Sequence, residues 1–185
     1  MTFKFNVTLK GIAKPPVWRR LMVPGDATFY RMHQIIQAAF GWKGHHMFQF
    51  TPKGYGSEPV IAVSGEDWMG EFLDCKKTRL DKIFTATGKS FTYLYDFGDN
   101  WFHTVTLEEI LDQPVTHADC IEGRGACPPD DCGGPGGYHD LKRIMKFSGL
   151  PEHQEMREWL KLPKGVNWDA DKFDVEKVRE AVRKV

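Results

Sequence analysis

The segment FTYLYDFGDNWFHTVTL, residues 91–107, decides the fold class of this chain. Phe91, Tyr93, Tyr95 and Phe97 occupy alternate positions, which puts them on one face of a strand running from Phe91 to Phe97. Gly98-Asp99-Asn100 supplies turn chemistry, and Trp101 to Leu107 follows as the antiparallel partner. A hairpin this aromatic needs a second layer to cover it, and the remaining sequence provides one.

Upstream, Phe3, Phe5, Val7 and Leu9 alternate with Lys4, Asn6, Thr8 and Lys10 in the clearest strand of the chain. Gly11 and Pro15-Pro16 break it, Val17 to Val23 reads as a second strand, and Pro24-Gly25-Asp26 turns the chain again. Thr28 is an N-cap for a helix whose Phe29, Met32, Ile36 and Phe40 share one stripe, with Gly41 at C′. Met47 to Thr51 reads as a strand, and the weakly patterned stretch 52–89 offers a short strand at Val60 to Val63 and a helical turn at Arg79 to Phe84. Downstream, three helical stripes appear: Tyr138, Leu141 and Met145; then Met156, Trp159 and Leu160 after Pro151; then Val175, Val178 and Val182 behind Asp174. The expectation is one α+β domain over residues 1–185. Its sheet is mainly antiparallel, its helices pack on one side, and its last third is helical.

Composition narrows the functional classes. The chain has 185 residues, 41% of them hydrophobic, which is enough to build a core. No apolar run approaches the roughly 20 residues of a membrane span, and residues 1–10 alternate rather than forming a leader's apolar stretch, so a cytoplasmic, non-membrane protein is expected. The net charge is zero but unevenly spread. Residues 1–60 carry eight Lys/Arg against two Asp/Glu, residues 61–135 six against fourteen, and residues 136–185 eleven against nine. Such a balance does not describe a dedicated nucleic-acid binder.

Two segments attract chemical attention. The first, residues 117–139, holds Cys120, Cys127 and Cys132 among prolines, the carboxylates Asp130 and Asp131, and six glycines, flanked by His117 and His139. Thiolates and imidazoles suit zinc, so Cys120, Cys127, Cys132, His117 and His139 are the candidate metal ligands. The spacing lacks the two-residue knuckle of common zinc motifs, and small buried residues in a tight loop explain it equally well. The second is the turn of the hairpin, where Asp96, Asp99 and His103 are candidates for cation binding or acid–base work; turn chemistry for Asp99 and a sheet position for His103 are the alternative. Its Asp-Phe-Gly triplet lacks the other parts of a kinase site. Of the paired His45 and His46, only one can reach a common site. The adjacent Arg19 and Arg20 are candidate anion-binding residues, and a solvated strand face accounts for them as well.

KPPVWRRLMVPGDATF (14–29), YDFGDNWFH (95–103) and GACPPDDCGGPGGY (125–138), in this order, together with PEHQEM (151–156), resemble the signatures of the plasmid pRiA-type ORF-three-like family. The resemblance covers roughly residues 3–160. It implies a prokaryotic α+β domain associated with plasmids or insertion elements, and it brings no established activity. Its motif positions fall on Asp96, Gly98, Asp99, Trp101, His103, Cys127, Pro128, Asp131 and Cys132. Some relatives carry a transposon-resolvase label, but this chain has neither the N-terminal Arg-Val-Ser segment nor the terminal helix-turn-helix of a serine resolvase. The expected function is a non-catalytic binding or interaction module linked to mobile elements, with a protein or nucleic-acid partner. The alternatives are a metal-dependent enzyme on a phosphate or nucleic-acid substrate and a DNA-binding accessory protein, the latter requiring Lys4, Lys10, Arg19 and Arg20 on one surface.

Overall fold

The computed structural model describes residues 1–64 and 71–185. In chain order the elements are β1 (Thr2–Leu9), β2 (Trp18–Pro24), α1 (Phe29–Phe40), β3 (Phe48–Thr51), β4 (Val60–Ala62), β5 (Phe72–Asp74), α2 (Leu80–Ile83), β6 (Ser90–Tyr95), β7 (Trp101–Leu111), β8 (Asp119–Arg124), α3 (Gly134–Lys146), α4 (Glu152–Trp159) and α5 (Val175–Arg183). The strands form one sheet in the order β5-β4-β3-β6-β7-β1-β2-β8. Every neighbouring pair is antiparallel except β4 and β5. The first strand, β1, therefore lies in the middle, between β2 and β7.

Register explains which side is buried. Phe5 faces Leu21 and Leu107, Val7 faces Arg19 and Val105, and Tyr93 faces His103, so these residues share one face of the sheet. Helix α1 covers that face: Phe29 meets Phe50 edge-on at 5.0 Å, and Phe40 meets His103 edge-on at 4.9 Å. Met32, Ile35 and Ile36 complete its buried stripe. Helix α5 packs on β8 and α1, and α4 packs on α3.

Helix α1 is punctuated at both ends. Thr28 Oγ1 accepts the Arg31 amide at 3.2 Å, and Gly41 takes the left-handed conformation at φ 78°. Thr28→Ala should lower the unfolding free energy by about 1 kcal/mol, measured by urea denaturation, because it exposes one orphan amide without touching the core.

The expected elements recur with one added strand, β5, which the sequence did not lead us to expect, and three further differences. Strand β6 ends at Tyr95, because Asp96 adopts φ 57° and turns the chain; Phe97 thus leaves the strand face and lies near Tyr55 instead. Part of the Cys/Pro/Gly segment is a strand, β8, paired with β2. Its Cys and Gly content hid a pattern that is buried only at Cys120. The last third is less helical than expected: α3, α4 and α5 contribute 13, 8 and 9 residues, and 160–174 carry neither helix nor strand. Of the weakly patterned stretch 52–89, residues 65–70 lie outside the described residues.

Candidate functional site

Beyond β6 the hairpin closes through five residues held by one carboxylate. Asp96 Oδ1 accepts the amides of Gly98 at 2.9 Å and Asp99 at 3.2 Å, while the Asn100 amide donates to the Asp96 carbonyl at 2.7 Å. Asp96 and Asn100 both have φ 57°, a region that Asp and Asn enter more easily than bulkier residues. The second Asp96 oxygen, Oδ2, is left over from this turn and points to His46.

The 125–133 loop is drawn onto the same end of the sheet. Trp42 Nε1 donates to the Pro128 carbonyl at 2.9 Å, and the Gly133 amide donates to Asp99 Oδ2 at 3.3 Å. Gly134, at φ +66°, comes so close to the hairpin that a Cβ there would lie 2.5 Å from the Asp99 carbonyl oxygen. The hairpin and the Cys/Pro/Gly loop therefore meet.

At their junction His46 Nε2 lies 3.2 Å from Asp131 Oδ1 and 3.7 Å from Asp96 Oδ2. All three ligand atoms fall within 4.8 Å of one another, and this is the one such group of three or more His, Cys, Asp or Glu among the described residues. Asp96 is buried at 8% exposure, whereas the Asp131 side chain is 73% exposed, so the cluster reaches from the interior to solvent. Tyr95 borders it from beneath, its ring 5.7 Å from that of His46. Its hydroxyl is buried against the His45 and His46 backbone. Burial, followed by the charge of Asp130, pushes that hydroxyl up to about 12, so it stays a neutral donor.

The other sequence candidates lie elsewhere. His103 is fully buried between Phe40, Trp42 and Tyr93, with Nδ1 against the Trp101 carbonyl at 3.0 Å. Asp99 is engaged with the loop amide. The Asp96, Asp99 and His103 trio does not converge: only Asp96 enters the cluster. Nor do Cys120, Cys127, Cys132, His117 and His139 form a ligand group. Cys120 is buried on β8, His117 is exposed beside Thr116, and His139 is exposed on α3. Burial pushes the thiols up, Cys120 to about 11 and Cys132 to about 12, with Cys127 also well above its ordinary value. Arg19 and Arg20 point to opposite faces of β2. Arg20 pairs with Glu108 and Glu122, whereas Arg19 is buried and bonds to carbonyls. Two members of the cluster lay outside the candidate catalytic and metal sets: His46, one of a histidine pair without a spacing signal, and Asp131, which stood out only as a carboxylate of the cysteine loop and a family motif position.

The family model for plasmid pRiA4b ORF-3-like proteins matches residues 1–177. The chain belongs to the plasmid pRiA4b ORF-3-like family. It is 34% identical over 158 residues to the uncharacterized protein y4hQ of Sinorhizobium fredii, covering 84% of this chain and 79% of that one. Its fold is similar to that of the crystal structure of MM3350, a protein of unknown function from Methanosarcina mazei Go1. The TM-score is 0.79 at 30% identity, over 95% of this chain and 96% of that one. In this ORF-3-like chain the three sequence signatures are brought together. Arg19 from the first bonds to Gly125 in the third, and Asp99 in the second receives the Gly133 amide. Among the described residues no helix is long and apolar enough to cross a membrane.

Proposed function

We propose that this protein is a binding module that holds a first-row divalent cation, zinc or manganese, between His46, Asp96 and Asp131. The observation that carries the proposal is the convergence of three donors from three separate segments. Ions of this size bind such donors at about 2.0–2.2 Å, which places neighbouring ligands about 3.0–3.6 Å apart. His46 stands 3.2 and 3.7 Å from its two carboxylates. One imidazole with two carboxylates suits zinc, manganese or iron.

Three protein ligands leave coordination positions open, so an oxygen of a partner or substrate completes the shell. Those open positions also favour the second reading, a metal-dependent enzyme, in which the cation would polarise an oxygen or activate a water. That role would fall to Asp96 and Asp131, since His103 is sealed in the core. The DNA-binding reading has weaker support: Lys4 pairs with Glu109, Arg20 with two glutamates, and Arg19 faces inward. A mobile-element setting is supported by the plasmid in the family's description alone.

Titration of chelator-stripped protein with Zn²⁺ and Mn²⁺ by calorimetry tests the proposal. One site is expected, weakened at least about tenfold by Asp131→Asn, which removes one carboxylate charge from a side chain that is mostly exposed. Asp96→Asn should weaken it similarly while keeping the turn, because asparagine retains the Oδ1 acceptor and tolerates φ 57°. Cys127→Ser and Cys132→Ser should leave it unchanged. Binding lost in the serine variants and retained in Asp131→Asn would refute the assignment.

A further inference from the structure

A second feature, on the other side of the 125–133 loop, concerns the charge of Arg19. A guanidinium is always ionised in proteins, and a buried charge is normally paired with an opposite one. Arg19 is 2% exposed, yet no carboxylate lies within ion-pair distance of it among the described residues. Four carbonyls serve it instead. Nε donates to Ala39 at 3.0 Å, Nη1 to Trp18 and Arg124 at 2.8 Å each, and Nη2 to Gly125 at 3.0 Å. Of its five N–H donors, one on Nη2 is left unassigned. The ionisable groups closest to it in effect are Cys127, Cys120 and Tyr138, all of which burial holds neutral. The four carbonyls satisfy hydrogen bonds but leave the net charge uncompensated.

Arg19 forms part of the wall of a cavity of about 370 Å³. Phe40 and Phe173 sandwich the guanidinium, with its carbon 5.1 and 4.4 Å from their ring centres. Leu162, Val166, Trp168 and Val178 extend the apolar wall. Lys172 and Lys177 stand on it as well, against Asp169 and Asp174, so the wall has three cations and two carboxylates. Both carboxylates already accept backbone amides, Asp169 from Asp171 at 2.9 Å and Asp174 from Lys177 at 3.1 Å. The cavity is thus apolar, has one excess positive charge, and lies within the size range of small-molecule sites.

We propose that this cavity binds a small organic monocarboxylate with an aromatic or branched apolar body. Its carboxylate supplies the counter-charge that Arg19 lacks, and its body rests against Phe40, Phe173 and Trp168. A phosphate dianion fits less well, because one unassigned donor and one excess charge do not match its several acceptor oxygens. The site is independent of the cation cluster, so the failure of either leaves the other standing.

The test uses benzoate and isovalerate with their neutral amides, benzamide and isovaleramide, titrated into isotopically labelled protein. The carboxylates should shift the Trp168 indole resonance and bind at least about tenfold more tightly than the amides, the margin of one charge-assisted hydrogen bond. Lys177→Glu, an exposed change on the wall, should weaken carboxylate binding about threefold to tenfold and leave the fold intact. Arg19→Met should abolish it, but it also removes four bonds to the backbone, so Lys177→Glu is the decisive variant. Equal affinity for acids and amides would overturn the proposal. So would an unmoved Trp168 signal at about 10 mM of either carboxylate, where even weak ligands are visible.

Discussion

Gly137→Ala is expected to destabilise the protein severely, while Gly136→Ala, one residue earlier in the same helix, is neutral or slightly stabilising. The contrast arises because the 125–133 loop folds back over the start of α3. A Cβ on Gly137 would lie 1.7 Å from the Cys132 carbonyl oxygen, and that neighbour is backbone, which cannot rotate away. At Gly136 nothing lies within 4 Å of the added carbon. Alanine at an unobstructed helical position gains about 0.5–1 kcal/mol over glycine. At position 137 the same gain is overwhelmed by the need to move the loop or open the helix, at a cost of about 3 kcal/mol or more. For a domain of this size that lowers the midpoint by on the order of 10 °C. Because Asp131 precedes Cys132, the variant should also weaken cation binding. Scanning calorimetry on the two variants decides the matter; equal midpoints would mean that the loop does not take this path.

Acid should unfold the protein earlier than its carboxylates alone would require. Burial lowers His103 from 6.5 to about 3 and His33 to about 4. His103 has no charged group in its aromatic enclosure. Its Nδ1 donates to the Trp101 carbonyl, and Nε2 has no partner. His33 stacks on Phe48 at 3.7 Å. The Tyr93 oxygen accepts the Gln37 amide at 2.9 Å and lies 2.8 Å from His33 Nδ1, so the ring is hydrogen-bonded to a neutral partner.

Both folded-state values lie below the unfolded value, so as pH falls the unfolded chain takes up protons first. Their stabilisation is complete above pH 6.5 and is lost as pH falls through the window from 6.5 to about 4 for His33 and about 3 for His103. Between pH 6 and 4.5 the two should contribute a slope of at most about 2.7 kcal/mol per pH unit, a limit of about 1.4 for each. Urea unfolding from pH 4.5 to 7.5 measures it. His33→Gln and His103→Gln should each reduce the slope by at most about 1.4 kcal/mol per pH unit, whatever they do to stability at neutral pH. A slope unchanged in both variants would show that these rings are solvated.

Much of the fold was legible because periodicity reports burial directly. The alternation of Phe3 to Leu9 and of Trp101 to Leu107, and the stripe from Phe29 to Phe40, each correspond to elements whose apolar side faces the core. What was not legible has particular causes. Strand β8 pairs with β2 at the edge of the sheet and buries only Cys120, so Asp119 to Arg124 carries no alternation to read. The end of β6 at Tyr95 depended on Asp96 taking φ 57°, a choice made by its side chain capping two amides rather than by hydrophobic pattern.

The site was legible only in part. Its segments stand out through their turn residues, and the family signature joins them in sequence. Which side chains meet was a matter of tertiary path. The loop crosses to Trp42 and Asp99, bringing Asp131 to His46 and packing a partly buried Cys127 against the core. Composition drew attention to the cysteines, because soft ligands are conspicuous in a sequence. An imidazole followed fifty residues later by a hairpin aspartate is not.

Manganese supplies the most direct test of the central claim, because a paramagnetic ion broadens the resonances of nuclei close to it. Substoichiometric Mn²⁺ added to labelled protein should erase the amide signals of His46, Asp96 and Asp131 and their neighbours first. Signals of Cys120, His117 and His139 should remain, and Asp131→Asn should restore the erased set at the same Mn²⁺ concentration. Broadening centred on Cys120, His117 and His139, or none localised at the junction of hairpin and loop, would contradict a cation held by His46, Asp96 and Asp131.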